Sequence, residues 1–330
     1  MARRVARRDH FGVCQWFHYQ DYRDVERTVE ALHDLGVRHL RTGIAWADLH
    51  RPGAKDWFDW QMEQIAEFEV LLSVWHTPPS ISEGGTPNSP PRRLRDYADT
   101  IDLILTNWGD SFTHLELWNE PNNAYKWDFP AHDPDWKKFG EMIRDAAHWA
   151  QRRGKPTVLG GMIPVDHHWL ALMESHGALE FIDVVAIHAF PGMWWPGERN
   201  WDWHDRWTGW RDKLDYVASH SGGRPVWITE TGCATWDLAQ HRVAKYDLQV
   251  KMLEDAVTNC TAARVYWYSM IDLDPARDAI EGFHVDENEY HMGLIDHQGH
   301  KKDAYFRLKE LLTAGPATPR SRPAARSTCR

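Results

Sequence analysis

The sequence predicts an α/β protein built as one (β/α)8 TIM barrel, and three observations carry that expectation. Strand-length apolar runs alternate with helix-period segments eight times along the 330 residues. Several of the runs are apolar nearly throughout, as strands buried on both faces of a parallel sheet must be. No Gly/Ser-rich linker divides the chain, and its length suits a single barrel of this kind.

Taken in order, residues 11–16 read as the first strand and residues 22–35 as a helix. Gly36 closes that helix, because glycine adopts the left-handed conformation after a last helical turn at little cost. A second strand at 37–42 precedes a helix near 56–68. Residues 70–75 form a fully apolar third strand, followed by a Pro/Gly/Ser-rich loop at 76–91 and a helix near 94–108. The fourth strand, 112–118, leads through a long loop to a helix near 134–153. A short fifth strand at 157–161 is paired with a helix near 166–176. The sixth strand, 181–187, is followed by a Trp-laden loop and a helix over 206–221. The seventh, 225–229, precedes a helix near 240–258, and the eighth, 264–268, precedes a closing helix at 302–312. The barrel is thus expected over residues 1–314. Residues 315–330, rich in Pro, Arg, Ser and Ala, read as a disordered tail.

A net charge of −10 argues against nucleic acid or an anionic membrane as the partner. The basic stretch 1–10 is not followed by an apolar segment of signal-peptide type, and no window approaches the ~18 apolar residues of a membrane span. A cytoplasmic protein is expected. The four cysteines show no CxxC spacing and no short-range pairing, so they read as reduced thiols rather than a zinc cluster or a disulfide scaffold. Tryptophan is over-used: 20 residues, against 10 Tyr and 11 Phe. Core packing seldom selects the residue that is hardest to bury fully, whereas indole faces stack well on sugar rings. A carbohydrate partner is expected, and the sequence leaves the oligomeric state open.

Two segments carry the chemistry. Leu115-Glu116-Leu117-Trp118-Asn119-Glu120-Pro121-Asn122 and Val226-Trp227-Ile228-Thr229-Glu230-Thr231-Gly232 are apolar runs that end in a glutamate and then a Pro or Gly turn. A carboxylate at the C-terminal tip of a buried strand is costly to keep there without a use. Strand C-termini are where barrels of this class place their sites. Two such carboxylates facing each other across the barrel mouth are the equipment of glycoside hydrolysis. Arg41 ends the second strand, His76 follows the third, Asn119 stands beside Glu120, His188 ends the sixth, and Tyr266 and Trp267 lie on the eighth.

With these residues in place the chain resembles the clan A retaining glycoside hydrolases, of the family 5 and family 39 type. The resemblance rests on Trp118-Asn119-Glu120-Pro121, Ile228-Thr229-Glu230-Thr231-Gly232 and His188-Ala189-Phe190, with Tyr266-Trp267-Tyr268 and Met292-Gly293-Leu294-Ile295-Asp296, and spans about residues 10–314. It implies Glu120 as acid/base and Glu230 as nucleophile, with no cofactor and no metal. Arg41 would keep Glu230 ionised through charge-assisted hydrogen bonds. Asn119 would donate to the sugar 2-hydroxyl, a contact that strengthens in the transition state. Two close carboxylates are expected to push one pKa up and leave the other low. One position departs from the family 5 pattern: His-x-Tyr after strand six is here His188-Ala189-Phe190. Either Tyr266, Tyr268 or His188 replaces the missing tyrosine contact to the nucleophile, or the nucleophile is tuned differently.

Plainer readings stand beside these. Glu120 would also suit a helix start, Glu230 and Arg41 a structural ion pair, and His76 and His188 hydrogen-bonded barrel histidines. Trp194 and Trp195, in the loop after strand six, and Trp127, in the loop after strand four, are candidate sugar platforms. Trp207 and Trp210 are spaced to pack against the barrel. The 20 histidines form no His-x-His or His-Glu-x-x-His motif, and the acidic run from Asp272 to Glu289 reads as a solvated loop. The expected activity is retaining hydrolysis of β-glycosidic bonds, exo-acting on a short oligosaccharide or glycoside. A transglycosylase on the same scaffold and a non-catalytic carbohydrate-binding barrel are the alternatives. Xylosides, glucosides, galactosides and mannosides all remain open, as does endo action.

Overall fold

The structure, a computed structural model, describes residues 8–191, 209–277 and 287–313. Eight parallel strands close into a barrel: β1 (Phe11–Cys14), β2 (His39–Ala45), β3 (Glu69–Trp75), β4 (His114–Leu117), β5 (Thr157–Met162), β6 (Val184–His188), β7 (Val226–Thr231) and β8 (Val265–Tyr268). Each strand pairs with its neighbours in sequence, and β8 returns to β1 with Phe11 opposite Val265. The expected (β/α)8 TIM barrel is the fold found.

The helices lie between the strands: α1 (Tyr22–Leu35), α2 (Ala54–Ile65), α3 (Arg95–Trp108), α4 (Phe129–His132), α5 (Lys137–Arg152), α6 (His167–Ser175), α7 (Trp210–Ala218), α8 (Tyr246–Asn259) and α9 (Asp303–Thr313). Their inward stripes pack on the barrel. On α3, Tyr97, Ile101, Ile104, Leu105 and Trp108 are buried at helical spacing. Gly36 ends α1 at φ 69°, with the Val37 N–H reaching the Leu32 carbonyl at 3.0 Å, the expected left-handed cap. Asp166 opens α6 by accepting from the His168 and Trp169 N–H groups.

Two stretches differ from expectation in kind rather than by a few residues at an end, both because side chains capture backbone groups. The helix expected near 240–258 starts only at Tyr246; before it, Trp236–Asp237 and Arg242–Val243 pair as a small antiparallel hairpin, and Asp237 accepts the Ala239 N–H in its turn. The loop after β4 is not irregular throughout. Asp128 caps α4, and Asp133 accepts from the N–H groups of Lys138 (3.0 Å) and Phe139 (2.9 Å) at the start of α5. Trp127 donates its indole N–H to the same Asp133 at 3.2 Å.

The segment that carries Trp194, Trp195, Trp201, Trp203 and Trp207, the acidic positions Asp278, Glu281 and Asp286, and the tail 315–330 lie outside the described residues. Among the described residues no helix is long and apolar enough to cross a membrane. No disulfide forms among them either, and Cys14, Cys233 and Cys260 are buried thiols.

Asp133 therefore fixes the strand-four loop against α5. Asp133→Ala deletes its three hydrogen bonds and leaves the Trp127 N–H buried and unpaired, and should lower the unfolding free energy by about 3 kcal/mol. Urea denaturation of the two proteins measures this, and Asp133→Asn should recover part of the loss.

Candidate active site

Strand register decides which side chains meet inside the barrel. Cys14 pairs with Arg41, Gly43 with Ser73, and Ser73 with Glu116, so these residues share one face. Arg41 identifies that face as the interior. It is wholly buried, and its guanidinium reaches Glu116 Oε2 from Nη2 at 2.6 Å and from Nε at 2.8 Å. Nη1 donates to Glu230 Oε1 at 2.5 Å and lies 3.4 Å from Cys14 Sγ, while Nη2 donates to Asn119 Oδ1 at 2.8 Å. Burial works against the Arg41 charge, but Glu116, Cys14 and Glu230 more than compensate and hold its pKa well above the usual value. One cation thus serves two buried carboxylates.

The second junction is His188. Its Nδ1 lies 2.9 Å from Glu120 Oε1 and 3.5 Å from Glu230 Oε2. Glu120, in the turn after β4, has φ 47°, a conformation that L-residues seldom adopt outside sites where the surroundings enforce it. Its other oxygen accepts from Asn123 Nδ2 at 3.1 Å. Glycine makes this approach feasible: a Cβ on Gly161 would stand 2.0 Å from His188 Nε2, and one on Gly160 would stand 2.2 Å from the Trp118 carbonyl oxygen. One ligand-type atom from each of Glu120, His188 and Glu230 lies within 4.8 Å of the others, the one group of metal-ligating side chains so spaced among the described residues.

Electrostatics at Glu120 differ from the expectation of a raised acid. Burial pushes its pKa up, but His188, the Lys126 ammonium and the Asn123 amide outweigh burial and hold the carboxyl below its ordinary range. His76, buried after β3 at φ 66°, is pushed down to about 3 by burial and then by Lys126, and is neutral at neutral pH.

The other expected site residues separate into two groups. Asn119 is buried, and its Oδ1 bond to Arg41 leaves Nδ2 as the donating end of the amide. Tyr266 faces inward but sits deep, in register with Gly12, where a Cβ would meet its ring at 2.7 Å. Trp267 is in register with Val13, the β1 residue on the face opposite Cys14, so strand alternation turns it away from the barrel interior. Trp127 is fully buried, packed edge-to-face on Trp118 and Phe139 at 5.2 Å each, and braces the loop rather than presenting a sugar platform. For the contact left open by Phe190, His188 reaches Glu230, with Nδ1 3.5 Å from Oε2. Glu116, Cys14, Trp16, Trp75, Asn123 and Lys126 were not singled out from the sequence. Glu116, a charge at an inward position of an apolar strand, was the one with a visible signal.

Comparison with protein-family models finds no match, and comparison with curated proteins finds none. Solved structures share the fold. A family 39 glycoside hydrolase from the gut symbiont Bacteroides cellulosilyticus WH2 superposes with TM-score 0.64 at 17% identity, over 94% of this chain and 64% of that one. A monomeric beta-xylosidase from Caulobacter crescentus CB15 gives TM-score 0.64 at 15% identity, over 94% and 69%. A GH2 beta-galacturonidase from Eisenbergiella tayi, bound to galacturonate, gives TM-score 0.59 at 17% identity, over 94% and 51%. The chain thus spans about half to two-thirds of the length of these proteins. At such identities the likeness is one of fold.

Removing Arg41 would strand two buried carboxylates. Arg41→Met should cost about 3–5 kcal/mol in unfolding free energy, and Glu116→Gln added to it should restore part of that loss. Chemical denaturation of the three variants checks both expectations.

Proposed function

We propose that this protein is a retaining β-glycosidase, with Glu120 as acid/base and Glu230 as nucleophile. The observation that supports this best is the spacing at the barrel mouth. Oxygens of the two carboxylates lie within 4.8 Å of each other, bridged by one imidazole. Retaining enzymes hold their carboxyl groups about 5–5.5 Å apart, and inverting enzymes about 6.5–9.5 Å, to admit a water.

In this reading Glu230, paired with Arg41, is the ionised group that attacks the anomeric carbon. Glu120 protonates the departing oxygen and then takes a proton from the water that hydrolyses the glycosyl ester. His188 orients Glu120 through its 2.9 Å contact and stands 3.5 Å from Glu230. Asn119, its amide aligned by Arg41, donates to the sugar beside the nucleophile. The ordered strand-four loop, with α4 and Trp127 packed under it, supports a closed pocket and hence exo action on a short glycoside. The beta-xylosidase among the similar structures makes β-xylosides the first substrates to screen, with β-glucosides, β-galactosides and β-mannosides beside them.

A 2-deoxy-2-fluoro-β-glycoside with a good leaving group tests the nucleophile. It should inactivate the enzyme, peptide mapping should place the adduct on Glu230, and Glu230→Gln should abolish labelling. Glu120→Ala should slow poor leaving groups by orders of magnitude, about 10²–10⁴-fold, and spare activated aryl glycosides. An adduct on Glu120 would reverse the roles.

The pH dependence follows from the lowered Glu120. Proton donation needs its acid form, and the protonated fraction falls as pH rises through a pKa below the ordinary carboxylate value. For poor leaving groups, kcat/KM should therefore decline from unusually low pH. His188→Gln removes the main stabiliser of the anion and should move that limb to higher pH. Activated aryl glycosides should lack the limb in both proteins.

A further inference from the structure

Trp16 sits against Arg41 and Trp75 against Trp16, and neither indole takes part in the scheme above. Trp16 follows β1, and the Gln15 N–H continues the ladder to the Arg41 carbonyl, so Trp16 falls on the same inward face as Cys14. Trp75 ends β3 two residues beyond the inward Ser73. The two rings meet with centroids 4.6 Å apart, and the Arg41 guanidinium carbon lies 4.7 Å from the Trp16 ring centroid. Gly43, between them on β2, makes the seat. A Cβ there would stand 2.2 Å from Trp75 Cζ3 and 3.0 Å from Trp16 Cζ3.

Both side chains are 2% exposed, and neither indole N–H has a hydrogen-bond partner among the described residues. A buried N–H left unmade is costly and rare, and at a site it points to a group that arrives from outside. An indole nitrogen can only donate. The arriving group must therefore bring acceptor oxygens, and an apolar ligand would leave both donors unmet.

We propose that the indole N–H groups of Trp16 and Trp75 are specificity-determining donors that hold hydroxyl oxygens of the sugar seated against Glu230. The inference rests on the glycosidase reading and deepens it. The ligand is a pyranose whose hydroxyls on this side are free, since acylation or alkylation would add bulk where two buried rings close on the oxygen.

Indole ¹⁵N–¹H spectra of the wild-type protein titrated with D-xylose, D-glucose, D-galactose and D-mannose test this without relying on turnover. Two buried indole resonances should shift saturably with at least one of the four, and Trp16→Phe and Trp75→Phe, which keep a ring and delete the donor, should each remove one of them. A monodeoxy analogue lacking the bonded hydroxyl should bind wild type about ten-fold more weakly than the parent sugar, and should bind the matching Phe variant no more weakly than the parent does. Resonances that ignore all four sugars overturn the proposal, as do Phe variants that discriminate parent from every deoxy analogue as wild type does. Hydrolysis without these shifts would refute the donors alone; shifts without hydrolysis of any glycoside would refute the glycosidase reading alone.

Discussion

The guanidinium of Arg41 is the charge around which the barrel interior is organised. It is buried between Glu116 below and Glu230 above, with Asn119 and Cys14 at its flanks and Trp16 against its face. Carboxylates cannot be held ionised in a protein interior unless a countercharge and hydrogen bonds replace the water they lose. Glu116 contributes nothing to the barrel mouth directly. Its part is to fix Arg41, whose remaining donors then fix Glu230 and the Asn119 amide. The orientation of the upper carboxylate thus depends on a lower one that no substrate would touch.

The opposite wall follows a different rule. Glu120 is oriented by His188 and Asn123, and its backbone stands in a conformation with positive φ. No cation as close as Arg41 supports it in the described contacts, and its charge is favoured by the imidazole beside it. One carboxylate is held by the guanidinium of Arg41 and the other by the imidazole of His188. That asymmetry places two chemically identical side chains in different electrostatic surroundings.

Glycine sets how closely the walls approach. Gly43 admits two indoles over β2, and Gly160 and Gly161 let the β4 turn and His188 close over β5. At each of these positions a single methyl group would collide with backbone or ring atoms, so the shape of the mouth is written as much in missing side chains as in present ones.

The alternation of apolar runs and helical segments, the Gly36 cap and the two glutamates at strand tips were legible in the sequence, because period, capping and the cost of a buried charge act within a few residues. The pairing of Arg41 with Glu230 was legible as well, since few partners suit a carboxylate at a strand end. Register was not. Trp267 and Tyr266 are adjacent on β8, and only the pairing with Val13 and Gly12 decides that the tyrosine faces inward and the tryptophan does not. Trp127 read as a platform until Asp133 and Phe139 closed around it, and Glu116 passed as one residue of a strand until Arg41 met it. The sequence by itself determined the fold class and the presence of two glutamates at strand tips. Which side chains share a face, and which of two neighbours meets the site, was decided by the closed barrel, because those relations join residues up to 254 positions apart.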